Sequence, residues 1–246
     1  MHDKIREVKF NHQTLKFVYR DDSDLSVIDE FFVDKMYRAS EFSIINSQFS
    51  ILDIGAHIGI FSAYASILNP QSQILAIEPE PTNFELLKAN LKLNNCQNVK
   101  VLQAALVSSC CHSERPKGVE ESLSSNKINT TTLYLSPNTH NHSTTSKSDN
   151  YITVPSINLD QLMKENGIKK ISLLKMDIEG AEFGIIKALK LKNIKTIENM
   201  VIEYHETTKN KRADLENIIR EHGFSVEHFP NKFDKHFGLL VCKNKR

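Results

Sequence analysis

At 246 residues, with 40% hydrophobic and 25% charged residues, the chain carries enough apolar material for one large domain with a sizeable core. A formal net charge of +1 leaves no broad basic footprint for nucleic acid, and no run of about 18 apolar residues is present to span a bilayer. The four cysteines contain no Cys-x-x-Cys pair, which removes zinc-ribbon and thioredoxin-like classes, and MHDKIREVKF has no apolar signal core, so the expected location is the cytoplasm.

Val8-Lys9-Phe10 and Leu15-Lys16-Phe17-Val18-Tyr19 alternate like strands, with Asn11-His12-Gln13 as the turn of a small hairpin. Asp21 to Asp24 reads as a loop able to cap a helix. Ile28, Phe31, Phe32 and Met36 then share one face of a helix expected over Val27 to Tyr37. Residues 1–48 are thus expected to form an extension that caps a functional site, with the main domain over 49–246.

Ile51-Leu52-Asp53-Ile54 is a short apolar run broken only by Asp53. The turn Gly55-Ala56-His57-Ile58-Gly59 follows, then an apolar helix from Ile60 to Leu68, stopped by Asn69-Pro70. Ile74 to Ile77 is a second strand, ending in Glu78-Pro79. Strand, glycine turn, helix, strand, acid is the layout of a nucleotide-binding βαβ unit, and Gly59 to Glu78 has the expected span. The turn lacks the second glycine of a pyrophosphate-binding G-x-G-x-x-G. Asp53 at the strand end suits an amino group or a sulfonium, as in S-adenosylmethionine, better than the phosphates of a dinucleotide.

A helix begins near Pro79-Glu80-Pro81-Thr82, carries Phe84, Leu87 and Leu91 at helical spacing and ends at Asn94-Asn95. Val99 to Ala104 is a third strand, placing Gln103 and Ala104 beside an adenine. Residues 108–150 differ in kind: 21 of these 43 are Ser, Thr or Asn, so a mobile excursion is expected, pinned by one strand-like run, Thr131 to Leu135. Cys110 and Cys111 within it are expected as reduced thiols, and His140 and His142 as solvated loop histidines.

Order returns with a strand at Tyr151 to Val154 and a helix from Asn158 to Gly167. Ile171 to Met176 is a buried strand running into Asp177-Ile178-Glu179-Gly180-Ala181-Glu182 and a helix. Met200-Val201-Ile202 is another, ending in Glu203-Tyr204-His205-Glu206. A helix over Ala213 to His222 and strands at Phe224 to Phe229 and Phe237 to Cys242 close the chain, the last two as an antiparallel hairpin. Alternating strands and helices imply a parallel sheet covered on both faces, with ligands at the carboxyl ends of its strands. Acids collect at three such ends: Asp53 with Glu78, Asp177 with Glu179 and Glu182, and Glu203 beside His205. A helix's first turn explains Glu179 and Glu182 adequately, and Asp177, directly after a buried strand, less well.

The stretches DIGAHIG, AIEPEPTNFELLKANLKLN, LYLSPN, VPSINLDQL, LLKMDIEGAE and VIEYH, in that order over residues 51–205, resemble the FkbM family of S-adenosylmethionine-dependent methyltransferases. The resemblance implies a Rossmann-like class I methyltransferase fold: a seven-stranded, mostly parallel sheet with an antiparallel last strand and helices on both faces. It implies S-adenosyl-L-methionine as cofactor and a hydroxyl of a sugar, glycan or secondary metabolite as acceptor. Asp53, Gly55, Ala56, His57 and Gly59 match the methionine-binding turn, Glu78 with Pro79 the ribose-binding acid, and Asn83 lies in the same stretch. His57 departs from the Asn usual there.

A hydroxyl acceptor must lose a proton, and His205 and Asp177 are the expected catalytic pair, with Asp177 also near the cofactor. No metal is assigned, although Asp177 and Glu203 are the residues a divalent cation would use. Two other readings fit the βαβ unit. One is a nucleotide-dependent oxidoreductase. The other is an RNA or other nucleic-acid methyltransferase, against which stand the acidic strand ends and Asp177-Ile178-Glu179-Gly180 where an Asn/Asp-Pro-Pro-aromatic turn would lie.

Overall fold

The computed structural model describes residues 4–33, 50–108, 129–136, 142–145, 148–189, 191–232 and 234–245. The chain opens with the expected hairpin, β1 (Lys4–Phe10) and β2 (Gln13–Tyr19), paired antiparallel. Helix α1 (Asp22–Phe32) starts five residues earlier than the apolar spacing suggested. The reason is Asp21, whose carboxylate accepts hydrogen bonds from the N–H groups of Ser23 and Asp24 and so nucleates the first turn there. Residues 34–37 of the expected helix lie outside the described residues.

The βαβ unit follows as β3 (Ser50–Ile54), α2 (Ile60–Leu68) and β4 (Gln73–Ile77). Next come α3 (Pro81–Leu93), β5 (Val99–Leu102) and β6 (Ala105–Leu106). The third strand therefore ends before Gln103, because the chain leaves the main sheet to pair β6 with another strand. That partner is β8 (Tyr151–Ile157), which also holds β7 (Thr130–Tyr134) antiparallel. This small sheet is how the polar excursion is pinned. Cys110, Cys111, His140 and all of residues 109–128 of the excursion expected to be mobile lie outside the described residues.

The remaining elements are α4 (Leu159–Glu165), β9 (Ile171–Met176), α5 (Glu182–Ala188), α6 (Leu191–Ile194), β10 (Ile197–His205), α7 (Arg212–Glu221), β11 (Phe224–Pro230) and β12 (Phe237–Asn244). Seven strands form one sheet in the order β11-β12-β10-β9-β3-β4-β5, parallel except for β12, which is inserted between β10 and β11. This is the Rossmann-like arrangement with a reversed last strand expected from the sequence.

Strand alternation divides the core in two. Leu52, Ile54, Leu174, Met176 and Ile202 pack against α4, α5 and α7 on one face. Ile51, Ile74, Leu173 and Val201 pack on the other against α2 and α3, and there Leu15, Phe17, Ile28 and Phe31 join the same cluster. The N-terminal segment is thus built into the second core layer. Among the described residues no helix is long and apolar enough to cross a membrane.

Candidate active site

The seven-stranded sheet begins at β3, builds outward to β5, then returns to place β9 on the other side of β3. The carboxyl ends of β3 and β9 therefore meet at a topological switch point, where an open α/β sheet leaves a crevice. Gly55 makes the meeting sterically feasible. Its φ is +76°, and a Cβ there would stand 1.8 Å from the Asp177 carbonyl oxygen. The N–H groups of Gly55 and Ala56 both donate to the Ile77 carbonyl at 3.0 Å, tying the turn to the end of β4.

A cavity of about 280 Å³ opens at this junction, close to the lower end of the roughly 300–1,000 Å³ typical of small-molecule sites. Gly55, Ala56 and His57 of the turn line it, together with Glu78 and Pro79 after β4 and Asn83 of α3. Ala104 lines it after β5, Asp177 after β9, and Glu203 and His205 on β10. Most of the residues expected to bind cofactor or act in catalysis are therefore brought together.

Three expected cofactor residues are not in the wall, each for a physical reason. Asp53 is fully buried in β3, accepts a hydrogen bond from Ser62 Oγ at 2.6 Å and lies 3.3 Å from Lys175 Nζ. Its charge is balanced inside the sheet, not offered to a ligand. Gly59, with φ +89°, caps α2, and a Cβ there would press to 2.6 Å from Leu87 Cδ1, so it serves the packing of α2 on α3. Gln103 follows the end of β5 outside the wall, whereas Ala104 beside it is buried in the wall.

The wall fits a nucleoside with a cationic tail. Ala104, Ala105 and Leu106 form a small apolar surface. Glu78 is buried with Oε2 accepting from the His57 N–H at 2.8 Å and Oε1 from the Glu80 N–H at 3.0 Å. Burial raises its pKa, while His57 and these N–H groups act in the opposite direction. Beyond the glycine turn, the carboxyl groups of Asp177, Glu179 and Glu203 line the cavity.

Lys175, within the stretch LLKMDIEGAE, is not among the expected site residues. It is the one charge in the six buried residues of β9, and Asp53 is its direct register partner on β3. Its ammonium donates to the Gly55 carbonyl at 2.7 Å and lies 3.8 Å from Asp177 Oδ2. Burial acts to lower its pKa, but Asp53 and Asp177 more than offset this and raise it. The sequence signal was present: each of two neighbouring buried strands carries one charge, of opposite sign, two residues before its turn.

His205 is held among acids. Nδ1 lies 3.3 Å from Glu182 Oε1, Nε2 lies 3.4 Å from Glu179 Oε2 and 4.0 Å from Glu203 Oε1, and the ring stacks on Phe237. Burial would lower its pKa. The Glu182 hydrogen bond and the charges of Glu179, Glu182 and Asp177 win and push it up to about 10. The acids around it favour the imidazolium, which has no lone pair for a proton, and this weighs against the expectation of His205 as the resting general base. Glu179, read from sequence as a helix-start acid, lines the cavity, and burial raises its pKa. His142, expected in solvent, also lines the cavity, its Nδ1 accepting from the Ser136 N–H at 3.1 Å. Asp177, Glu203 and His205 offer atoms within 4.8 Å of one another, a set that could hold a divalent cation.

A consequence is testable by unfolding. His205 has its folded pKa raised above 6.5, so its contribution to stability is fully present below about pH 6.5 and is lost as pH rises through about 10. The gap in melting temperature between the wild type and His205→Gln should be widest near pH 6 and shrink toward pH 10. A gap that grows with pH would contradict this charge state.

A family model described as the Methyltransferase FkbM domain matches residues 53–226. Methyltransferase 1 of Beauveria bassiana (strain ARSEF 2860) is 28% identical over 201 residues, covering 80% of this chain and 79% of the relative. The 31-O-demethyl-FK506 methyltransferase FkbM of Streptomyces tacrolimicus is 24% identical over 199 residues, 72% of each chain. Among solved structures, the Methanococcus jannaschii fibrillarin pre-rRNA processing protein aligns with a TM-score of 0.50 at 12% identity, covering 99% of this chain and 83% of that one. At that identity the likeness is one of fold.

Proposed function

The chain belongs to the Methyltransferase FkbM domain family and is an S-adenosylmethionine-dependent methyltransferase, and we propose that it methylates a hydroxyl oxygen on a small secondary metabolite or a glycan. The observation that carries this reading is the wall at the ends of β9 and β10, where Asp177, Glu179 and Glu203 stand together beside the His205 ring. A hydroxyl, unlike an amine, must give up its proton as the oxygen is alkylated, and this wall offers carboxylates to take it. The relative from Streptomyces tacrolimicus is named for an O-methyl position, which supports the same acceptor class. A polyphosphate chain would meet repulsion from the same acids.

The bound cofactor supplies an electrophilic methyl group. In this reading Glu78 holds the ribose, the apolar surface at Ala104 holds the adenine, and the Gly55 turn lets the backbone approach the methionine portion. Glu179 takes the acceptor proton, its raised pKa making it a stronger base than an ordinary carboxylate. His205 balances the cluster and fixes Glu182 and Glu179. Asp177 orients the acceptor. The family match displaces the oxidoreductase alternative. Cys96 and Cys242 are buried free thiols, which agrees with a reducing, cytoplasmic setting.

The test is transfer from S-adenosylmethionine carrying a ¹³C methyl to a panel of hydroxylated metabolites and glycans, read by heteronuclear NMR. The new signal is expected in the methoxy region, and label on nitrogen, on carbon or on RNA would reject the proposal. Running the active pairs with a chelator, then with added Mg²⁺ or Mn²⁺, separates a carboxylate base from a cation held by Asp177, Glu203 and His205. The carboxylate mechanism requires a rate unchanged by chelation.

A further inference from the structure

Besides the Glu80 N–H on Oε1, Glu78 accepts two hydrogen bonds, one on each oxygen, from residues that lead to the N-terminal segment. On one side the His57 N–H donates to Oε2 at 2.8 Å, and the ring Nε2 of His57 lies 3.4 Å from Asp24 Oδ1. On the other, Asn83 Nδ2 donates to Oε1 at 3.4 Å, and Asn83 Oδ1 accepts from Arg20 Nη2 at 2.6 Å. Arg20 and Asp24 close the circle through two hydrogen bonds of 2.8 Å, with the Arg20 N–H adding a third at 2.9 Å. The result is a ring of five residues, Glu78-His57-Asp24-Arg20-Asn83, returning to Glu78.

Two members of the ring are held by the fold around them. Asp24 is fully buried in the first turn of α1, which Asp21 caps. His57 sits at φ +50°, a left-handed conformation that a non-glycine residue keeps only when its surroundings hold it. A second route runs parallel to the first. Asn90 of α3 accepts from the Val18 N–H at 2.7 Å and donates to the Val18 and Ile58 carbonyls, stitching the end of β2 to the glycine turn. From the same α1, Val27, Glu30 and Phe31 reach the cavity wall.

We propose that Arg20 and Asp24, which lie before the family-matched segment 53–226, are positioning residues for the cofactor: through His57 and Asn83 they aim the Glu78 carboxylate at the ribose hydroxyls. The inference rests on the reading of Glu78 as the ribose-binding acid. A carboxylate held by directional donors on both sides presents its remaining lone pairs at fixed angles, which is what a bidentate contact to two vicinal hydroxyls needs. By linkage, the cofactor and the docked N-terminal segment stabilise each other.

The experiment is calorimetry of the full chain with two probes, S-adenosylhomocysteine and its 2′-deoxy analogue. Asp24→Asn and Arg20→Gln should each weaken S-adenosylhomocysteine by about tenfold while leaving the 2′-deoxy analogue within about twofold, so the preference for the complete ribose collapses. Arg20→Lys, which keeps the charge and loses the fork, should fall between and decides the matter if the other two fail to fold. Wild-type affinity in the variants, or an equal loss for both probes, would overturn the positioning role and leave the reading of Glu78 standing. A wild-type protein that binds both probes equally would overturn that reading, and the proposal with it.

Discussion

Lys175→Met is expected to cost about 3–5 kcal/mol of folding stability, the range found when one member of a buried ion pair is removed. Methionine matches the stem of lysine closely enough to leave little cavity, so packing is not the cause. The cause is Asp53, which is fully buried in β3. Its Oδ1 accepts no hydrogen bond, so the ammonium 3.3 Å away is its balancing charge. Ser62 satisfies only Oδ2. The variant also loses the 2.7 Å hydrogen bond to the Gly55 carbonyl, so the cofactor turn should loosen and affinity fall in the fraction that folds. Denaturant unfolding of the single variant and of Lys175→Met with Asp53→Asn measures this. The double variant should recover most of the loss, because no uncompensated charge remains. A single variant within about 1 kcal/mol of wild type would show that water or backbone dipoles stabilise Asp53 instead.

The second large effect is expected in turnover. Glu179→Gln should reduce kcat by roughly 10²–10⁴-fold, the range for losing a general base, with cofactor affinity little changed. The wild-type rate should climb as pH rises through a pKa above the ordinary carboxylate range, because burial raises that of Glu179. Glu179→Gln should flatten this limb. His205→Gln should lower turnover less, since its contacts at 3.3 and 3.4 Å place it as the partner of Glu182 and Glu179. A Glu179→Gln enzyme with a near-normal rate and an unchanged pH profile would remove Glu179 from the mechanism.

Much of this was readable in the sequence because it rests on local rules. The βαβ unit announced itself through apolar runs of strand and helix length, punctuated by Gly55, Gly59 and Asn69-Pro70. Asp177 and His205 were placed at the cavity because buried strands precede them. What the sequence concealed depends on neighbours distant along the chain. Asp53 reads as a ligand contact until Lys175, 122 residues later, proves to share its register. Charge states are equally non-local: the pKa of His205 is raised by Glu182, Glu179 and Asp177 together, three acids brought to it by the fold. Arg20 and Asp24 were indistinguishable from an ordinary polar loop, because their partners His57 and Asn83 lie in the next domain-sized stretch of chain. Composition alone puts His142 in solvent, because it says nothing of where a loop's end is tethered. That tether is Ser143, whose hydroxyl donates to the Glu179 carbonyl at 2.7 Å.

The insertion of β12 between β10 and β11 sets the order in which the molecule can mature. β3, β4 and β5 pair in the order in which they are made, and β9 and β10 can join them as they emerge from the ribosome. Until Phe237–Asn244 arrives, however, β10 presents an unpaired edge nine residues long. Its sequence Met200-Val201-Ile202 is apolar, the kind of exposed edge that recruits strands from other nascent chains. His205 pairs in register with Phe237 and stacks against it, so the same late strand completes the acidic wall.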